Sequence, residues 1–462
     1  MKTSIESPLV SVYMTNHNYG KYIAKSIDSV LNQTFSDYEL IIIDDGSTDN
    51  SREIIENYRN DPNVTIIYQE NKGLNVTNNI AIKLSKGKYI MRLDADDYLD
   101  ENALMIMSNE LNKSEYGLVF SDYYLVDEFG GVISLVRRHD FKNDVTLYDQ
   151  PAHGACTMVR KEFLLEVGCY SEEFQCQDGF ELWLKFIKEF EVSNINLPLF
   201  YYRQHSQNLT KKQDKVLSTR HGIIKKHVSH KEVSKKNHIC IIPVRGMDMF
   251  EPIALARLGD KTIIDIAIET VLASENISNI VVSSPDIRII QYLKKQSYEI
   301  ILDHRPKELA QLNTHIESTI EYIIRNYKEK INVPDTITIF HVEHPLRKTM
   351  YVDKLINTLY FFEVDSVIGV MPESALIYKH EGSGLVPING RDHTLTLERE
   401  FLYRRTPGLI TVDYPFFRKQ KKVIGGKVGH VVVDEEATIN VTSDLGWRLS
   451  ELLYKNKKMG QV

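Results

Sequence analysis

The stretch Leu40-Ile41-Ile42-Ile43-Asp44-Asp45-Gly46-Ser47-Thr48-Asp49 decides the fold. An apolar run that ends in paired acids places carboxylates at the C-terminal edge of a strand, where open α/β sheets bind their ligands. A carboxylate there can accept from a base N–H or a ribose hydroxyl. The same residues also fit a glycine turn in which Ser47 or Asp49 caps the next helix.

Outward from this stretch, apolar runs at Val10–Met14, Val64–Tyr68, Tyr89–Leu93 and Leu118–Phe120 alternate with helical-period segments such as Tyr22–Leu31 and Ser51–Tyr58. That rhythm predicts a mostly parallel sheet flanked by helices. The run Tyr89–Leu93 passes straight into Asp94-Ala95-Asp96-Asp97. Three acids in four residues repel one another unless a cation offsets them. Carboxylates so placed suit Mg²⁺ or Mn²⁺, hard ions that take one or two carboxylates together with diphosphate oxygens.

The chain has 462 residues, 42% hydrophobic and 26% charged, with a net charge of −7. This length predicts two domains, and the balance does not suggest nucleic acid as the main ligand. Met1 to Pro8 lack the apolar core of a signal peptide, and no run approaches the ~18 apolar residues of a membrane span, so a cytoplasmic protein is expected. Cys156, Cys169, Cys176 and Cys240 form no Cys-x-x-Cys pair and are expected as reduced thiols.

A basic, helix-permissive stretch over 211–237 separates a first domain, 1–210, from a second, 238–462. It reads as a linker with a solvated helix face, or as a patch that draws the protein to an anionic membrane surface at the inner face. Strand and helix signals resume at Ile239–Pro243, Ile263–Ala273, Ile280–Ser283, Ile316–Tyr327, Thr336–Phe340 and Ser366–Val370. The second domain is therefore also expected as α/β.

Residues Leu9 to about Thr210 resemble the family 2 glycosyltransferases of the GT-A, nucleotide-diphospho-sugar transferase fold. The resemblance is carried by Val10–Asn18, Ser29–Phe35, Asp44–Asp49, Asn71-Lys72-Gly73-Leu74, Gly87–Ile90, Asp94–Asp97, Gln177-Asp178 before Leu182-Trp183, and Tyr202-Arg203-Gln204-His205, in the family's order. It implies an inverting transfer of a sugar from a nucleotide-diphospho-sugar to a glycan, lipid-linked or protein acceptor. On that resemblance Thr15, His17 and Asp45 hold the base, Asp94 the ribose, and Gly73 lies in the donor loop. Asp96 binds the metal, His205 closes over metal or diphosphate, and Asp178 is the general base. Acceptor recognition falls on His153-Gly154-Ala155-Cys156, which also reads as a plain strand-edge turn. Gln177, Asn78 and His17 depart from the family's usual Glu, Arg and Tyr. These changes leave the donor's identity open.

From His238 to about Tyr454 the chain looks similar to the cytidylyltransferases that activate sialic-acid-like sugars. The matching segments are Ile239–Gly246, Leu258–Lys261, Arg305–Ala310, Pro345-Leu346-Arg347, Asp365–Val367, Gly425–Gly429 and Thr438–Asn440. Yet Met247–Glu251 lacks the lysine and serine such a loop uses on a triphosphate, and Asn440 and Thr442 stand where metal-binding acids are expected. The domain is accordingly expected as a degenerate scaffold for homodimerisation or partner docking, with Arg245 and Arg347 as an anion pocket or as surface salt bridges. A bifunctional enzyme that also couples CTP to an acidic sugar is the alternative.

Overall fold

The structure is a computed structural model that describes residues 7–136, 155–174, 178–205, 213–228, 233, 235–246, 252–311, 313–373, 375–382, 384–388 and 402–458. The chain divides into two compact units, 1–212 with 376–400, and 213–375 with 401–462.

In the first unit the strands are β1 (Val10–Asn16), β2 (Tyr38–Asp45), β3 (Val64–Gln69), β4 (Tyr89–Asp94), β5 (Tyr98–Leu99), β6 (Leu118–Val126), β7 (Val132–Val136), β8 (Thr157–Arg160) and β9 (Val192–Arg203). They run in the order β3-β2-β1-β4-β8-β6-β9-β5, with β7 paired to β6. The helices are α1 (Ile23–Leu31), α2 (Ser51–Glu56), α3 (Leu74–Leu84), α4 (Ala103–Lys113), α5 (Lys161–Glu166) and α6 (Asp178–Glu189).

The β3-β2-β1-β4 half is parallel, as the sequence rhythm predicts. Every residue of β1 and β2 is buried, which is why both read as near-continuous apolar runs. Val12, Met14, Leu40, Ile42 and Leu93 pack with Ile23, Ile27 and Val30 of α1 in one core. The other half is mixed. β8 enters between β4 and β6 antiparallel to both, and β6–β7 and β9–β5 are also antiparallel. A strand's direction depends on partners distant in sequence, so this half differs from the expected mostly parallel sheet.

Register gathers the acidic turns. Thr15 of β1 lies opposite Ile43 of β2 and Asp94 of β4, and Asn16 lies opposite Asp44. Three strands thus deliver their C-terminal ends to one edge.

The second unit begins with α7 (Gln213–His227), followed by α8 (Ile263–Leu272), α9 (Ile287–Lys294), α10 (Ile316–Asn326) and α11 (Thr349–Phe361). Its strands are β10 (His238–Pro243), β11 (Asn279–Ser284), β12 (Ile301–His304), β13 (Thr336–Phe340), β14 (Ser366–Glu373), β15 (Leu402–Asp413) and β16 (Val428–Val432), ordered β12-β11-β10-β13-β15-β14-β16. Among the described residues of this seven-stranded sheet, β15 alone runs antiparallel to its neighbours. α7, from the segment read as a linker, packs on α11 and buries Leu217 and Ile223. Among the described residues no helix is long and apolar enough to cross a membrane.

Candidate active site

The turn after β2 is held from within. Asp44 is fully buried and accepts from Asn16 Nδ2 at 2.9 Å, Arg52 Nε at 2.8 Å and the Ser47 amide at 3.1 Å. Burial pushes its pKa up, but these bonds to the ionised form outweigh burial and hold it below the usual carboxylate range. Asp49 accepts from the Gly20 amide at 2.8 Å and the Ser51 amide at 3.0 Å. It therefore ties β1's exit to the start of α2.

Asp45 faces the next loop. Its Oδ1 accepts from Gln69 Nε2 at 2.7 Å and the Lys72 amide at 2.8 Å, and its Oδ2 accepts from the Gly73 amide at 2.9 Å. Gly73 has φ +85°, a left-handed conformation that glycine adopts without strain. His17 Nδ1 lies 2.8 Å from the Asp45 carbonyl oxygen, and Asn71 Nδ2 lies 3.2 and 3.3 Å from the two ring nitrogens. Thr15, His17, Asp45 and Gly73 thus surround one strand edge. Beside them an open cleft is lined by Gly46, Arg52, Tyr68, Gln69, Glu70 and Asn71.

The second acidic turn is denser. Carboxylate oxygens of Asp94, Asp96 and Asp97 lie within 4.8 Å of one another. Asp94 accepts from Arg92 Nε at 2.7 Å and Nη2 at 3.1 Å. Asp96 Oδ2 lies 2.8 Å from His205 Nε2. The His205 ring stacks on Tyr22 at 5.1 Å and meets Tyr19 edge-on at 5.9 Å.

Asp97 is 1% exposed, and its Oδ1 accepts from the Arg203 amide at 2.8 Å while its Oδ2 has no hydrogen-bond partner. Burial first, and then the charges of Asp96 and Asp94, hold its carboxyl well above the usual carboxylate range. Arg203 Nε also donates to the Asp96 carbonyl at 2.8 Å, and Ser26 Oγ donates to the Ala95 carbonyl at 2.8 Å.

Clustered hard oxygens, one of them buried without a partner, fit a divalent ion such as Mg²⁺ or Mn²⁺. Arg92, Ser26 and Tyr22 complete this site and were not singled out from the sequence, and Arg203, quoted in the Tyr202–His205 motif, was given no role of its own. Arg92 had a signal, since residues two apart on a strand share a face.

Asp178 is the first residue of α6, and its side chain lies outside the described residues, as do Gln177, His153 and Gly154. Cys156 is buried, and burial pushes its thiol up to about 12, so it stays protonated at neutral pH. Asn78 is fully buried with neither amide atom hydrogen-bonded. Cys169 and Cys240 are free thiols like Cys156, and Cys176 lies outside the described residues.

In the second unit Arg245 is exposed, whereas Arg347 is 4% exposed. Arg347 donates from Nη1 to the Gly408 carbonyl at 2.6 Å, from Nη2 to the Pro407 carbonyl at 2.5 Å and from Nε to the Ala437 carbonyl at 3.4 Å. Of the two readings of Arg347, an anion ligand or a surface salt bridge, the second does not hold, because the side chain is buried and clamps backbone carbonyls. Burial brings the Arg347 pKa down to about 9. Asn440 Oδ1 accepts from the Thr442 amide at 2.8 Å, a local turn. The loop 247–251 lies outside the described residues.

Against known proteins, the chain is 41% identical over 129 residues to a chondroitin synthase of Escherichia coli, covering 28% of this chain and 19% of that protein. It is 37% identical over 127 residues to the glycosyltransferase GlyG of Streptococcus pneumoniae, covering 27% and 42%. It is 31% identical over 204 residues to an uncharacterized glycosyltransferase of Rickettsia prowazekii, covering 42% and 63%. The chain therefore spans less than two thirds of the length of each of these relatives. Among solved structures, TarS 1–349 of S. aureus in complex with UDP-GlcNAc aligns with TM-score 0.41 at 18% identity, covering 48% of this chain and 66% of that one. Residues 11–168, the stretch that supplies both acidic turns, match the model for Glycosyl transferase family 2, and it is to that family that this part of the chain is similar.

Proposed function

We infer that the chain transfers a sugar from a nucleotide-diphospho-sugar to an acceptor hydroxyl, with inversion at the anomeric carbon. The observation that carries this reading is the meeting of two carboxylate turns at one sheet edge. One turn, through Asp45, fixes the loop at Lys72 and Gly73, and the other clusters Asp94, Asp96 and Asp97. The first suits a nucleoside and the second a cation-bound diphosphate.

Asp96 and Asp97, with His205 beside them, would hold Mg²⁺ or Mn²⁺, which supplies positive charge to the leaving diphosphate. Thr15, His17 and Asp45 hold the base, and Asp94 accepts from the ribose. Asp178 accepts the proton of the acceptor hydroxyl as its oxygen bonds to the anomeric carbon and the bond from that carbon to phosphate breaks. The electron pair of the broken bond leaves with the nucleoside diphosphate. The acceptor class is a glycan, a lipid-linked sugar or a protein hydroxyl.

A panel of UDP, GDP, dTDP and CDP sugars, read for turnover and for thermal shift with and without Mn²⁺, tests this reading. Metal-dependent turnover of one series, lost in Asp96→Ala, supports it. Turnover with no series under any metal sinks it.

The second unit is read as a non-catalytic scaffold for a homodimer or a partner protein. Arg347 bound to backbone carbonyls and the local Asn440–Thr442 turn support that reading. Release of pyrophosphate from CTP in the presence of an acidic nine-carbon sugar would replace it with a bifunctional enzyme.

A further inference from the structure

Arg92 stands two residues before Asp94 on β4, so both side chains lie on one face of the sheet. Two guanidinium nitrogens meet the two carboxylate oxygens, at 2.7 and 3.1 Å. This is the planar fork that an arginine, but not a lysine, can make. Arg92 is 6% exposed, so solvent screens its charge little. The neighbouring acids are held differently, Asp96 by the His205 ring and Asp97 by a backbone amide, with one oxygen of Asp97 left unpartnered.

We propose that Arg92 is a positioning residue that divides the acidic cluster. It keeps Asp94 as a fixed hydrogen-bond acceptor for the donor and leaves a divalent cation to Asp96 and Asp97. This rests on the reading of the cluster as the donor's cation site. The fork occupies one acceptor site on each Asp94 oxygen and offsets its charge, which makes Asp94 a weaker cation ligand than its neighbours. Arg92 also offsets one negative charge of the cluster. A tighter, more negative cluster would bind the ion more strongly and the anionic nucleotide less well.

The test titrates Mn²⁺ by calorimetry into the full chain and into its R92Q, D94N, R92Q/D94N and R92K variants, with and without UDP. R92Q should bind Mn²⁺ about fivefold to tenfold more tightly, the effect of removing one unit charge about 6–8 Å from a divalent ion at the dielectric of water. Its affinity for UDP should fall. A purely structural role would weaken both together. D94N should weaken Mn²⁺ by a similar factor, and R92Q/D94N should return to within about threefold of wild type because the pair carries no net charge. R92K, which keeps the charge and loses the fork, should bind Mn²⁺ like wild type and UDP more weakly.

Loss of Mn²⁺ affinity by more than tenfold in R92Q/D94N would mean that Asp94 coordinates the ion, and the division of labour would be wrong. Unchanged or weaker Mn²⁺ binding in R92Q overturns it equally. Should R92Q fail to fold, the double variant decides, since it removes both members of the fork. A wild-type chain that takes up no Mn²⁺, even with UDP, removes the cation site itself and this proposal with it.

Discussion

His205 and Asp96, 109 positions apart, meet at 2.8 Å between Nε2 and Oδ2, and the histidine is buried against the rings of Tyr19 and Tyr22. A ring so fixed orients the carboxylate beside it. His205→Ala should therefore weaken Mn²⁺ binding and lower turnover about tenfold or more, the usual effect of losing a group that orients a metal ligand. A Mn²⁺ titration on the variant checks this, and unchanged affinity would remove His205 from the cation site.

Asp97 makes stability depend on pH in a fixed direction. Its carboxyl titrates above the usual range because it is buried beside Asp96 and Asp94. The folded chain therefore binds more protons than the unfolded chain, and stability falls as pH rises from about 4 through the raised value. Asp97→Asn should flatten that slope and stabilise the cation-free protein by roughly 1–3 kcal/mol at pH 8. Urea unfolding at pH 5 and pH 8 measures it. A variant with the wild-type pH slope would mean that another group is responsible.

Asp178 opens α6 and is proposed to accept the acceptor's proton. Asp178→Asn should lower kcat by about 10²-fold or more while donor affinity stays within about threefold, since only the base is lost. Equal turnover in the variant takes Asp178 out of the mechanism.

Asp45 holds Lys72 and Gly73 by their backbone amides. Asp45→Ala leaves both donors without this acceptor, which should cost about 1–3 kcal/mol in local stability and raise the donor KM. Hydrogen exchange at Lys72 and Gly73 reads the loop directly. Protection that does not change would show that something else fixes the loop.

Arg347 answers three carbonyls from the interior of the second unit. Arg347→Met should destabilise that unit by about 3 kcal/mol or more, as removal of one partner from a buried polar network does. Phosphate added to the wild-type chain should give no thermal shift that depends on Arg347. A phosphate-dependent shift lost only in the variant would restore the arginine as an anion ligand.

What the sequence determined by itself was local. Leu40–Ile43 and Tyr89–Leu93 are apolar because they form strands within a covered sheet, and such a run shows in a few residues. The acids that follow each run are equally visible, so both carboxylate turns could be placed at a sheet edge from the chain alone. Tertiary structure decided everything that needed a distant partner. It inserted β8 antiparallel between β4 and β6, packed α7 onto α11, and brought His205 to Asp96. It also turned Arg347 inward, and it gave Asp97 a burial that no count of neighbouring acids reveals. Strand direction, ion pairing and desolvation are set by contacts between residues far apart in sequence. Backbone propensity and hydrophobic period act over a few positions and carry no record of those contacts.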